Sequence, residues 1–534
     1  MGVDSAASRD FSGGLKWDEE HDVLVAGSGG GGVTGAYTAA REGLDVLLVE
    51  ATDKFGGTTA YSGGGGVWFP CNPVLVAASP AGMFDDTIED ALTYYHAVVG
   101  DRTPRELQET FVRGGAPLIE YLTQDPNLKF MPMPWPDYYG NAPKARLDGQ
   151  RHTAAKPLKV AAAPELREAI RGPLENERLG VEQPADYYVG GRALIARFLT
   201  AIGQYPNASL RRNAALLELV RGADGVLGAI VESGGERRAI RARRGVLLAA
   251  GGFESNDGLR TRYGVPGVAR DTMGGPGSQG LALEAGIAAG ADTDLLDQAW
   301  WSPGMTHPDG RSAFALWFTG GIFVNQNGDR FVNESRAYDR AGREIIARLK
   351  DGSVTLPYWM IYDDREGEVP PVKAPNVPIV ETEKYVGAGL WHTADTIEAL
   401  AEKIGVPGDR LRATVARFNE FAANGVDGDF GRGDEAFDRA FSGAGSPLVP
   451  IDRPPFHAAA FGISDLGTKG GLRTDSAARV LDTSGEPIPG LYAAGNTMAA
   501  PSGEVYPGGG NPIGTSMLFS HLAVRDMLRR GAGA

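Results

Sequence analysis

Cysteine is almost missing from this chain. Cys71 is the only one, so no intrachain disulfide can form, which suits a reducing compartment. Histidine is scarce as well. The seven present are scattered without metal-ligand spacing, and His307, within His-Pro-Asp-Gly, reads as a turn residue, so no metal site is expected. No apolar run approaches the ~20 residues that span a bilayer, which leaves only peripheral membrane contact open. Basic charge is in deficit, with a formal net charge of −15. That argues against nucleic acid, whose phosphates need clustered Lys and Arg; patches such as Arg241–Arg244 are short and lie beside a strand. The polar, acidic start lacks the basic residues and apolar core of a signal peptide. Met1–His21 reads as a loose leader, and a cytoplasmic protein is expected. The 534 residues are 42% hydrophobic, enough for a sizeable core spread over several domain-sized units.

Glycine is what the chain has in excess. Among 76 glycines a lone motif means little, but Gly27, Gly29 and Gly32 sit between a buried strand, Asp22–Ala26, and the start of a helix. That is the G-x-G-x-x-G dinucleotide fingerprint, with Gly30 and Gly31 inside it. The first glycine permits the turn, the second lets the backbone approach a pyrophosphate, and the third lets helix and strand pack closely. The helix start then offers free N–H groups and a positive dipole end. A second apolar run, Asp45–Glu50, follows at βαβ spacing. It ends in Glu50, 18 residues after Gly32, where a carboxylate that binds ribose hydroxyls is expected.

Further along, Lys54–Gly66 is rich in small residues and hydroxyls that let a backbone press against a flat ring or a diphosphate. Gly57, Thr58, Thr59, Ser62, Gly63 and Gly64 are its candidate cofactor contacts. Asp86–Leu122 has helical periodicity with breaks near Gly100 and Gly114. Asn127–Gly140 contains three prolines and cannot be a regular helix; its aromatic content makes it either a pocket wall or a strap over the core. Residues 141–186 read as a polar excursion with solvated charges. Gly191–Ile202 reads as an amphipathic helix. Strands at Ala215–Val220, Val226–Val231 and Gly245–Phe253 return to the nucleotide sheet, bringing Ala250 and Gly251. From Leu295 the chain becomes rich in Trp, Phe and Pro, with helical stretches at Thr396–Lys403 and Pro407–Ala423. Gly490–Asn496 is again a strand into a glycine turn, supplying Gly495 and Asn496. Tyr506–Gly514, with Pro512 and Ile513, precedes a terminal helix, Thr515–Leu528, whose N–H groups would meet negative charge on a bound cofactor. The expected fold is therefore α/β. A Rossmann-like dinucleotide-binding domain is assembled from residues 1–298 and 468–534, with an α+β substrate domain inserted at 299–467.

The fingerprint, the acid, and Gly-Gly-Thr-x-x-x-Ser-Gly-Gly after it resemble the FAD-binding domain of the fumarate reductase and succinate dehydrogenase flavoproteins. Some members attach FAD covalently through a histidine in this region; Glu50–Pro70 contains none, so non-covalent FAD is expected. In the fumarate reductases, Arg-Phe-x-Asn-Glu is followed four residues on by an arginine that donates a proton. Here Arg330-Phe-Val-Asn-Glu334 is followed by Tyr338, which suits a neutral substrate better than a dicarboxylate. Over nearly its whole length the chain then resembles the 3-ketosteroid Δ1-dehydrogenases, at Val25–Gly31, Thr34–Thr38, Pro136–Tyr139, Gly190–Leu194, Asp297–Trp300, Tyr338–Asp339, Asp465–Gly471 and Tyr506–Gly508. The resemblance implies that Tyr338 takes the C2 proton with Tyr138 as its hydrogen-bonded helper. It implies that the Tyr506 hydroxyl and the Gly510 N–H bind the C3 carbonyl oxygen, and that the C1 hydride passes to flavin N5. Trp135 and Phe314 are the expected pocket residues. The implied partners are a 3-ketosteroid and an electron acceptor, with a quinone as one candidate.

The chemistry is coherent on its own terms. A C–H beside a ketone becomes acidic only when the enolate oxygen is stabilised, and losing one such donor costs ~3 kcal/mol. A phenol near pKa 10 costs about 4 kcal/mol to ionise at neutral pH, so activity should rise toward alkaline pH. The alternatives are a flavin ene-reductase of the fumarate reductase kind, a 3-ketosteroid 4,5-desaturase, and a flavin-binding protein without catalysis.

Overall fold

The computed structural model describes residues 16–80, 83–182, 186–375, 377–379, 381–440 and 445–531. The chain opens with β1 (Glu19–Ala26), α1 (Gly30–Arg41), β2 (Val46–Val49), α2 (Gly57–Tyr61) and β3 (Gly66–Trp68). Two long helices follow, α3 (Ile88–Val99) and α4 (Arg105–Thr123), then β4 (Phe130–Pro132), β5 (His152–Ala155) and α5 (Gly190–Ile202). Strands β6 (Ala208–Arg211), β7 (Ala214–Gly222), β8 (Gly225–Ser233) and β9 (Glu236–Leu248) lead into a second body of strands. These are β10 (Ala299–Thr306), β11 (Ser312–Phe318) and β12 (Ile322–Val324), then helix α6 (Tyr338–Lys350), then β13 (Tyr358–Asp363), β14 (Val372–Pro375), β15 (Trp391–Ala394) and β16 (Phe456–Thr468). The chain returns through β17 (Arg479–Leu481) and β18 (Pro487–Ala493) to the closing helix α7 (Asn511–Gly531).

The nucleotide sheet has eight strands in the order β17-β18-β9-β1-β2-β6, with β8 on β9 and β7 on β8. The central pairs β18/β9, β9/β1, β1/β2 and β2/β6 are parallel. Val23–Val25 and Val46–Val49 are buried throughout, as parallel strands covered on both faces require. Helices α1 and α7 pack against each other on this sheet; a Cβ on Gly31 would lie 3.0 Å from the Ser516 carbonyl. The other large sheet is antiparallel with seven strands, ordered β12-β13-β16-β10-β11-β14, with β15 also on β16. The expected α/β class with a Rossmann-like half built from both ends of the chain is what the structure contains. No helix among the described residues is long and apolar enough to cross a membrane.

Four local expectations change. The leader ends earlier than His21: β1 begins at Glu19, which pairs with Ile240 and binds Arg211, while residues 1–15 lie outside the described residues. Helix α4 runs unbroken through Gly114, because the glycines there make room for neighbours; a Cβ on Gly115 would lie 2.2 Å from the Phe69 ring and one on Gly114 2.7 Å from Leu518. Helix α5 is buried on every side from Gly191 to Leu199, so it is a core helix rather than an amphipathic one. Helix α7 starts at Asn511, four residues before the expected Thr515. Pro512 is compatible with the first turn, where its missing N–H is not needed.

Candidate active site

The turn between β1 and α1 accepts only glycine at its ends. Gly27 has φ +100°, and a Cβ there would lie 2.3 Å from the Ala249 oxygen. A Cβ on Gly32 would lie 1.9 Å from the Gly27 oxygen, so this glycine serves helix–strand packing and lies outside the cavity wall. Gly29 is different. The nearest atom to its Cβ position is 3.6 Å away, and with Gly27, Gly30 and Gly31 it opens onto a cavity of about 490 Å³. Glu50, at the end of β2, is also in the wall. Its buried carboxylate accepts the Ser28 hydroxyl at 2.5 Å and the Thr52 N–H and hydroxyl at 2.9 and 2.8 Å.

The cavity continues past Gly57, Thr58, Thr59, Ser62, Gly63 and Gly64, which all line it. Thr59 has a second task, since its hydroxyl accepts the Gly30 N–H at 3.0 Å. On the other side stand Ala250, Gly251, Gly495 and Asn496, then Pro512 and Ile513 from the first turn of α7. Two helix N-termini, a glycine cradle that a side chain would fill and an oriented carboxylate fit the diphosphate and ribose of FAD. These residues would hold that cofactor.

Beyond them the wall turns aromatic. Tyr138, Tyr338 and Tyr506 are each at most 8% exposed and face one another edge-on, with ring centroids 5.2 to 5.7 Å apart. Tyr338 is the first residue of α6, at the positive end of its dipole. Its hydroxyl interacts with those of both Tyr138 and Tyr506. Burial, first of all, lifts Tyr338 and Tyr138 well above the ordinary phenol value. Tyr506 is pushed up to about 12 by burial, so it stays protonated as a donor. The Gly510 N–H points at the Tyr506 hydroxyl oxygen, 3.3 Å away. The two groups therefore lie side by side at the end of the cavity. Trp135 and Phe314 line the same end. Trp135 donates from Nε1 to the Tyr138 hydroxyl at 3.0 Å, and Phe314 packs on Tyr338 at 4.7 Å.

Backbone bonds lock this cluster. The Tyr138 N–H donates to the Pro507 oxygen at 2.9 Å, and the Tyr94 hydroxyl donates to the same oxygen at 2.5 Å. Asp137, beside Tyr138, accepts from Trp68 Nε1 at 2.8 Å and from Arg151 at 2.7 Å, and Arg151 also grips Asp86. Arg151 is 1% exposed, so the charges of the 141–186 excursion are not all solvated; the ion pair carries this one into the core. Behind the tyrosines, buried Lys469 lies 3.8 Å from Asp339, donates to the Glu504 oxygen at 2.8 Å and sits 4.1 Å over Trp300. Trp300 in turn packs on Tyr506 at 4.9 Å.

Other expectations concern near neighbours. Tyr139 turns away from the cavity, under Arg340 at 4.7 Å. Asn511 reaches Tyr95 rather than the Gly510 site. His307 closes a turn and bonds Tyr385 at 2.7 Å. Sequence reasoning missed Arg171, Met133, Trp317 and Leu466 as wall residues. Arg171 had a signal only in hindsight: it belongs to the polar excursion and reaches Thr52, which steadies Glu50.

A family model described as "FAD binding domain" matches residues 22–513. A 3-oxosteroid 1-dehydrogenase of Mycolicibacterium smegmatis is 34% identical, covering 97% of this chain and 98% of its own length. The chain belongs to this family of FAD-dependent dehydrogenases. The 4-oxocyclohexanecarboxylate 2-dehydrogenase of Sinomonas cyclohexanicum is a further relative of the flavoenzyme, 33% identical over 96% of this chain and 94% of its own. Among solved structures, 3-ketosteroid Δ1-dehydrogenase from Sterolibacterium denitrificans, in complex with 1,4-androstadiene-3,17-dione, superposes with a TM-score of 0.86 at 29% identity. It covers 96% of this dehydrogenase and 100% of its own chain.

Proposed function

We propose that this flavoprotein desaturates 3-ketosteroids between C1 and C2. Bound FAD supplies the acceptor for the hydrogen and electron pair that leave C1. Tyr506 and the Gly510 N–H donate to the C3 carbonyl oxygen and hold the charge that grows there when C2 is deprotonated. Tyr338 takes the C2 proton, and the electron pair of that C–H bond becomes the second bond between C1 and C2. Tyr138, fixed by Trp135, orients the Tyr338 hydroxyl. Because burial disfavours the phenolate, the active fraction of Tyr338 grows as pH rises, and turnover grows with it.

The observation that carries the reading is the convergence of three buried phenols and one N–H at the end of the FAD cavity. Charge decides between substrates. Glu50 and Arg171 are the only charged residues in the described wall, and both belong to the Thr52 network beside the cofactor cradle. The tyrosine end offers Met133, Trp135, Phe314, Leu316 and Leu466, which suits a neutral polycyclic ketone better than a keto acid or a dicarboxylate. The proposal extends to non-covalent FAD, to reoxidation by an external acceptor such as a quinone, and to peripheral membrane contact in reaching it. Incubating the purified protein with a 4-ene-3-ketosteroid and an artificial electron acceptor should give the 1,4-diene. No diene, with turnover of a keto acid or reduction of an ene-dicarboxylate instead, would overturn the proposal.

A further inference from the structure

Strand β11 breaks its own alternation. Phe314 and Leu316 both line the cavity, as residues two apart on one face of a strand should. Trp317, the next residue, belongs to the opposite face by the same rule, yet it lines the same cavity. The backbone explains this. Trp317 has φ +63°, in the left-handed region that bulky L residues avoid. The ladder to β14 passes from Leu316↔Ala374 to Phe318↔Val372 with no pair at Trp317. The inverted residue brings its ring to 5.3 Å from that of Trp135, tilted by 31°. Trp135 is the residue that donates to Tyr138. Trp317 also borders a water-sized cavity of about 20 Å³ shared with Tyr138 and Tyr338, so the indole stands beside the reacting end.

A glycine would adopt this backbone at little cost. Local strain of this kind persists where the surroundings over-determine it, and it clusters at ligand clamps. We propose that Trp317 is a specificity-determining residue, turned inward by its left-handed backbone so that its indole packs on that of Trp135 and the pair forms an aromatic wall for the fused rings of the substrate. The inference rests on the steroid reading above and adds to it the residue that favours a multi-ring ketone.

Three variants separate ring from backbone. Trp317→Ala removes the ring and keeps the strain, Trp317→Gly removes both, and Trp317→Phe keeps an aromatic ring in the strained setting. With FAD-loaded protein, the affinity for a 1,4-diene-3-ketosteroid, followed by the change in flavin absorbance, should fall about ten-fold or more in the Ala and Gly variants, since a large aromatic contact is lost. The FAD content should stay unchanged. Trp317→Gly should melt above Trp317→Ala, because only the alanine is held in an unfavourable conformation. Trp317→Phe should retain most of the affinity. Steroid affinity within twofold of the parent in both the Ala and Gly variants would remove the indole from the wall. A Gly variant melting at or below the Ala variant would remove the strained backbone from the argument. If the alanine variant does not fold, the Gly and Phe variants carry the affinity comparison. Failure of the steroid reading itself looks different, since the parent protein would then neither bind nor desaturate the steroid.

Discussion

Replacing Tyr506 with Phe deletes a single hydroxyl and leaves its surroundings in place. The ring stays wedged between Trp300 at 4.9 Å, Tyr138 at 5.2 Å and Tyr338 at 5.7 Å, and the loop remains tied through the Pro507 oxygen to Tyr94 and Tyr138. What disappears is one of the two donors proposed for the carbonyl oxygen, which by analogy with other oxyanion sites is worth about 2.7–4 kcal/mol of barrier, or roughly 100- to 1000-fold in rate. A second effect works against the first. The Tyr506 hydroxyl holds the proton on Tyr338, so its loss makes Tyr338 a slightly more available base. The net slowing should therefore lie at the lower end, about 100-fold in kcat/KM. The assay is flavin reduction in a stopped-flow instrument with excess 3-ketosteroid and no acceptor, at one pH near 8 and one near 10. The slowing should persist at both. A rate within a factor of two of the parent at either pH would mean that Tyr506 does not hold the carbonyl, and the oxyanion assignment would fall.

Tyr338→Phe should keep FAD and bind steroid, yet reduce flavin slower by orders of magnitude. With substrate deuterated at C2, the parent should lose label to solvent if deprotonation is reversible, and the variant should not; fast flavin reduction by the variant would move the base elsewhere. Acid precipitation should leave all flavin in the supernatant, and flavin in the pellet would refute non-covalent binding. Arg151→Met strands Asp86 and Asp137 in the core, a loss of about 3–5 kcal/mol that should appear as a lower melting temperature; a melting temperature equal to the parent's would contradict the triad as an anchor. Above pH 10 an unfolded chain releases phenol protons that the buried tyrosines retain, so the folded form binds more protons and stability should fall as pH rises through that range.

The cofactor half was legible because its chemistry is local. A glycine turn, the helix after it and an acid after the next strand fall within thirty residues and announce their own geometry. The reacting end is the opposite case. Tyr138, Tyr338 and Tyr506 are 200 and 168 residues apart in sequence, and no spacing rule joins them; resemblance to a family picked them out. Gly114 and Gly115 read as a helix break because the reason for them, Phe69 and Leu518, lies far away in sequence. Arg151 and Arg171 read as solvated because their carboxylate and hydroxyl partners come from other segments. Trp317 was invisible as a wall residue, since strand alternation points it outward and only the backbone torsion reverses that.

The central strand β1 is flanked on one side by β9 and, beyond it, by β18, so the nucleotide sheet is finished by residues 487–493. A ribosome adding ~5–20 residues each second needs roughly 25–90 s between delivering β1 and delivering β18. Until β18 arrives, the Val246–Leu248 end of β9 lacks its outer partner, the cavity lacks the α7 helix start, and the nascent chain has an open sheet edge to protect. The same late stretch carries Tyr506 and Gly510. Completion of the sheet and completion of the proposed oxyanion site thus arrive together. A nascent or prematurely terminated chain is left without either.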